Sequence, residues 1–293
     1  MIKAIQAELY KLFKNRTFAV LICVTVLLST LTVVMCSPIF EQILSDSLGD
    51  MPEEQKAMLM EQMTAMSDSD AIVTPGEVGI HLKAKDMMNP TAIEVYHASF
   101  GSGVMEILIG ILVAALMAKE YSQGTIKNFL AYGKKREEFY LAKFVAMVVA
   151  IAIISAVMTI LPTVIVIIMN GWGETFEFLQ LVGMIKTFMV SVIASSAVAA
   201  LAMVIATLVK SNGTTIGITV AIFIGVPTFA GFLYGIYPWF DRIYEVLPFY
   251  NSALATSIKA GNGDLLRSVI ISLVTIGISL FVGIRIFKAQ DIK

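Results

Sequence analysis

Six long apolar runs constrain this chain more than any other feature of it. They lie near Thr17–Met35, Phe100–Ala118, Phe144–Met169, Thr187–Val209, Thr214–Leu233 and Ser268–Phe287. At about 1.5 Å per helical residue, each can cross a hydrocarbon core of roughly 30 Å. Composition agrees, since 57% of the 293 residues are apolar and only 15% charged, against about 45–50% and about 25% in soluble domains. The chain reads as an all-α integral membrane protein with six transmembrane helices, at 17–36, 100–118, 144–169, 187–209, 214–233 and 268–287. A net charge of −1 leaves no electrostatic basis for binding nucleic acid.

Charge bias orients the spans. Fourteen Lys and Arg fall in the termini and in the 119–143 and 210–213 segments, and seven on the opposite side. The positive-inside rule then places both termini in the cytoplasm. Segment 37–99, with eleven acidic and three basic residues, becomes an extracellular acidic domain. Trp172, Trp239 and Tyr237 fall at outer helix ends, where aromatic belts form. Cys23 and Cys36 share the first span at about 20 Å, too far apart for a disulfide. That span lacks an A-x-A cleavage site, and Met35 before Cys36 argues against lipidation, so it reads as a retained anchor.

Ile2, Ile5, Leu9, Leu12 and Phe13 recur at helical spacing, with Lys3, Lys11 and Lys14 elsewhere on the wheel. Residues 1–16 are therefore expected to form an amphipathic elbow helix on the inner surface, in contact with membrane lipids. In the outer domain, Pro52, Glu53 and Glu54 open a predicted helix that runs to Met66. Its methionines, with Met87 and Met88, offer adaptable apolar contact to a partner, a substrate or the membrane. Copper ligation with His81 and His97 is disfavoured by the wide spacing, and no metal site is expected.

Glu106 is the one ionisable residue well inside a predicted span, about 10 Å from its outer end. It reads either as a structural hydrogen-bonding group or as a polar point in a substrate path or outer gate. Gly213 with Gly217, and Gly231 with Gly235, have G-x-x-x-G spacing and would allow close helix packing within the chain or between protomers. Segment 234–267 is too apolar for a solvated loop and reads as short interfacial or re-entrant helices.

The sequence contains no H-E-x-x-H, no G-x-S-x-G, no paired zinc cysteines and no phosphate loop. It carries no catalytic residues, and any ATP and Mg would be bound by another subunit. The inner segment 119–143 interleaves Tyr121, Ile126, Phe129 and Leu130 with its charges, the pattern of an amphipathic surface for a partner.

Here the chain resembles the ABC-2 type family of ATP-binding-cassette permeases. The resemblance rests on the basic amphipathic start, the six spans, Glu120…Gly124-Thr125 after span two, Leu141-Ala142-Lys143 before span three, and the ending Phe287-Lys288-Ala289-Gln290-Asp291-Ile292-Lys293. Ala131-Tyr132-Gly133 departs from the small or proline-containing turns of many relatives, and the outer domain is longer than in minimal members. The resemblance implies a permease subunit that pairs with an ABC ATPase and with a second permease copy or homologue, and holds no cofactor of its own. It assigns coupling to Glu120, Tyr121, Gly124, Thr125, Ile126 and Phe129. In size the chain is similar to bacitracin-type and lantibiotic-immunity exporter permeases, which implies export of an amphipathic peptide antibiotic. The alternatives are a non-transporting sensor or assembly protein that binds a ligand through the outer domain, and a permease for a lipid or an ion.

Overall fold

The computed structural model describes residues 1–37, 71–84, 89–126 and 135–290, with isolated positions between 43 and 58. Most of the helix expected from Pro52 to Met66 lies outside the described residues, as do Met87, Met88 and Phe129. Among the described residues the protein is helical, with one isolated bridge between Gly79 and Ser102.

Helix α1 (Ile2–Lys14) meets α2 (Arg16–Met35) at Asn15, whose extended backbone breaks the helix and whose side chain caps α2 by accepting from the Thr17 amide at 2.8 Å. After the outer segment come α3 (Ala92–Ala98) and α4 (Val104–Val113). Helix α4 continues through a π-helical turn (Ala114–Ala118) into α5 (Lys119–Ser122). Then follow α6 (Arg136–Asn170), α7 (Phe178–Val209), α8 (Asn212–Gly231), the short α9 (Pro238–Tyr244) and α10 (Pro248–Thr256), and α11 (Asn262–Ala289). Both short helices start on a proline, which suits a first helical position because its missing N–H would have had no partner.

Five helices are long and apolar enough to cross a membrane: α2, α6, α7, α8 and α11. The run expected as span two is divided. Its helix starts only at Val104, after Gly101 and Gly103 at positive φ, and changes hydrogen-bond register at Ala114. Elsewhere the helices outrun the apolar stretches. Helix α6 begins eight residues before the predicted 144 and α7 nine before the predicted 187. At about 1.5 Å per residue, their 35 and 32 residues span roughly 50 Å, more than a hydrocarbon core. Apolar composition marks only the part that lipid can cover, while Arg136-Glu137-Glu138 continues the same helix into polar surroundings.

Packing is inverted relative to a soluble protein. Helix α11 buries Ser268, Ser272, Ser279 and Gly283 while Leu266, Ile270, Leu273, Ile278 and Phe281 are exposed. Its broadest contact is with α7, whose buried residues are mostly Ala, Ser and Thr. In lipid, large side chains gain nothing from facing inward and small ones let backbones approach. The close approaches differ from those expected of the G-x-x-x-G pairs. A Cβ on Gly213 or Gly217 would meet nothing, Gly235 sits in a turn at φ +82° beyond α8, and Gly231 lies under Pro75 of the outer segment rather than against a helix. The tight helix crossings fall at Gly110, where a Cβ would come within 2.7 Å of the Thr219 hydroxyl, and at Gly283, where it would collide with the Tyr140 hydroxyl.

Candidate functional site

Two polar constructions lie at opposite ends of the helix bundle. At the end holding both termini, α1 turns Ala4, Glu8 and Leu12 inward against α6, and Ile2, Tyr10 and Phe13 stay exposed. Of the apolar stripe only Leu12 is fully buried, and the inward face carries the charged Glu8. Lys143, 1% exposed on α6, places its Nζ 2.5 Å from Glu8 Oε2 and 2.8 Å from Glu120 Oε1. Lys11 Nζ lies 2.7 Å from Glu8 Oε1 and 3.1 Å from Glu120 Oε1. Two carboxylates and two ammonium groups thus close into a neutral network joining α1, α5 and α6. Burial alone would lower the Lys11 pKa, but hydrogen bonds and charges from Glu8 and Glu120 outweigh it and hold the ammonium above its usual range.

Around this network the chain ends are fastened. Arg136 donates to the carbonyls of Phe287, Lys288 and Gln290 at 2.7–3.0 Å, filling acceptors left open at the end of α11. Its guanidinium also lies over the Phe287 ring, against which Tyr121 packs edge-on at 6.0 Å. Gln290 donates to the Thr207 carbonyl of α7.

The predicted coupling residues divide here. Glu120 joins the network, Gly124 turns the chain at φ +66°, and Thr125 is exposed. Ile126, 1% exposed, belongs to the core, and Tyr121 spends its ring on Phe287. Within the chain both side chains hold the segment to the bundle, Ile126 from the core and Tyr121 half-buried against Phe287. Phe129 lies outside the described residues. Sequence reasoning missed Glu8, Lys11 and Lys143 as a set. Only the charge at Glu8, in line with Ala4 and Leu12 on one helical face, signalled it.

At the opposite end, Glu106 is the third residue of α4 and so lies within its first turn, closer to the helix end than the sequence placed it. It is 8% exposed. Its carboxylate accepts from Ser252 Oγ of α10 at 2.9 Å and from the backbone of Gly103 and of Glu106 itself. Helix α10 is positioned by Asn251, which donates to the Glu245 and Leu247 carbonyls and whose own carbonyl accepts from Ser268 of α11. Glu106 faces a cleft roofed by residues Val73–Val78, with Ser195, Tyr244, Phe249 and Thr256 among its walls. Burial first, then the Glu106 charge, holds the Tyr244 hydroxyl well above the ordinary phenol range. A second cavity shares Thr74, Glu77 and Thr256 with the first and includes both histidines. His97 Nδ1 lies 2.9 Å from the Thr256 carbonyl, and burial lowers the imidazole pKa. Among the described residues no three His, Cys, Asp or Glu side chains gather as a metal site.

No curated protein sequence matches the chain. A family model does: the one described as ABC-2 family transporter protein matches residues 3–292.

Proposed function

The chain belongs to the ABC-2 family of transporter proteins and so is a multi-pass membrane subunit served by an ABC ATPase, and from this premise we propose that it is the permease of an exporter for an amphipathic substrate such as a peptide antibiotic. In this reading residues 104–122 make the sixth crossing despite the π-turn, and both termini are cytoplasmic. Helix α1 lies at the inner membrane surface with Ile2, Tyr10 and Phe13 toward lipid, and segment 37–99 is outside. ATP and Mg are held by the ATPase. A second copy or homologue completes the permease, and the open face of α8 at Gly213 and Gly217 offers it a close approach.

The observation that carries this proposal is the Glu8–Lys143–Glu120–Lys11 network, with Glu8 and Lys143 buried, beside the turn at Gly124 and the exposed Thr125. A force applied by the ATPase at that turn reaches α5 first. The shared ions oblige α1 and α6 to move with it, because separating them would strand buried charge. Co-purification with the ATPase encoded nearest to it tests the proposal: a stoichiometric complex with raised ATP turnover is expected, and a chain that never associates with any ATPase would overturn it. Orientation is tested in a background lacking Cys23 and Cys36. Ser67→Cys should react with an impermeant thiol reagent in intact cells and Ser122→Cys should not; the reverse labelling would invert the topology.

A further inference from the structure

The cleft over Glu106 holds a buried carboxylate without a counter-charge. Among the described residues no Lys or Arg reaches it, and its partners are a hydroxyl and backbone amides. Lys83, a cation lining the adjacent cavity, lies 4.0 Å from Glu77 instead. Ser195, 4% exposed, lines the same cleft. A carboxylate that served only to cap α4 would need no adjoining space walled by further hydroxyl-bearing residues.

From this geometry we infer that the cleft binds an organic cation, an alkylammonium or guanidinium group carried by the transported peptide. The inference rests on the permease reading and gives the substrate its charge. An ammonium has three protons to place. Glu106 takes one with its charge, and the Ser195 and Thr256 hydroxyls are acceptors for the others. Tyr244 and Phe249 add aromatic faces, which attract a desolvated cation. A metal ion would require ligands that the described residues do not bring together.

The test uses the full chain in phosphatidylcholine nanodiscs and two fluorescent amphipathic peptides of one sequence, with lysines free or Nε-acetylated. Binding is read by anisotropy against empty nanodiscs. The free-lysine peptide should bind roughly tenfold more tightly or better. Glu106→Gln should bring it down to the level of the acetylated peptide. Equal binding of the two peptides to the unaltered chain, no saturable binding of either, or a preference that survives in a folded Glu106→Gln protein would each overturn the inference. If Glu106→Gln does not fold, Ser195→Ala carries the test: a several-fold loss for the lysine peptide alone supports the site, and an equal loss for both overturns it. Displacement of the lysine peptide by phosphatidylethanolamine would assign the cleft to a lipid headgroup and overturn the peptide assignment. ATP-driven uptake into proteoliposomes is scored separately. Charge-selective binding without uptake overturns the permease reading alone, whereas uptake of both peptides alike overturns the cation site alone.

Discussion

The two ends of the bundle treat charge in opposite ways. At the end with the termini, Glu8, Lys11, Glu120 and Lys143 neutralise one another within the chain, and Arg136 is spent on three carbonyls. At the other, Glu106 is left with neutral donors beside a cleft. A closed network fixes relative positions, because opening it exposes unpaired ions to a poor solvent. An unbalanced carboxylate keeps its charge available for something that arrives. The same residue type thus serves as a joint at one end and as a receptor at the other, and burial alone would not have told them apart.

The largest effect should come from breaking the joint. Lys143→Met leaves Glu8 buried without its nearest cation and should cost about 3–5 kcal/mol, read as a large fall in the thermal midpoint of purified protein. The Glu8→Gln/Lys143→Met double variant should recover much of that loss. If each single substitution is as mild as the double, the network is not a joint. Next, Ile126→Ala should cost about 2–4 kcal/mol by opening a core cavity, whereas Thr125→Arg should leave the midpoint unchanged and lower ATPase association. Loss of association only for Ile126→Ala at unchanged stability would return the apolar side chain to the interface. A smaller penalty, about 1–3 kcal/mol, is expected for Gly283→Ala, which presses on the Tyr140 ring; relief by the added change Tyr140→Phe would locate the clash.

The smallest effect belongs to Glu137 and Lys288, a half-exposed pair at the same end. Hydrogen bonding from Lys288 lowers the Glu137 pKa. Any stability it lends is therefore present above the ordinary carboxylate range and lost as pH falls through the lowered value. Glu137→Gln should leave the neutral-pH midpoint unmoved, and a pH scan of unfolding should show no more than a slight change on its acid limb. A large change would mean that exposed and buried pairs at this end contribute alike.

Much of this was legible in sequence because lipid imposes a coarse rule. Runs such as Phe144–Met169 and Ser268–Phe287 had to be helices, and the change from the amphipathic stripe of residues 1–16 to an unbroken apolar run separated the elbow from the first span. The joint was not legible, since Glu8 and Lys143 are far apart in the chain and neither stands in a recognisable motif. The burial of Ile126 was not legible for a related reason: an apolar residue among charges signals an amphipathic segment but does not say whether its apolar face meets the chain's own core or a partner. Close packing was sought in paired glycines, yet Gly110 and Gly283 owe their importance to Thr219 and Tyr140 on other helices.

The wide turn at Ala114–Ala118 has a rotational consequence. Fourteen positions separate Glu106 from Glu120. At about 100° per residue, an uninterrupted α-helix would return them to within roughly 40° of one another around its axis, so that both carboxylates addressed the same neighbour. A π-turn takes up one residue more than an α-turn and sets everything after it back by about 100°, opening the angle to roughly 140°. One helical segment thereby points an acid at α10 near its start and another at α1 and α6 near its end. Deleting a single alanine from that turn would leave thirteen α-helical positions between the acids, still roughly 140° apart, so both should keep their partners, whereas inserting one alanine elsewhere in the segment would swing one acid away from the partners it now has.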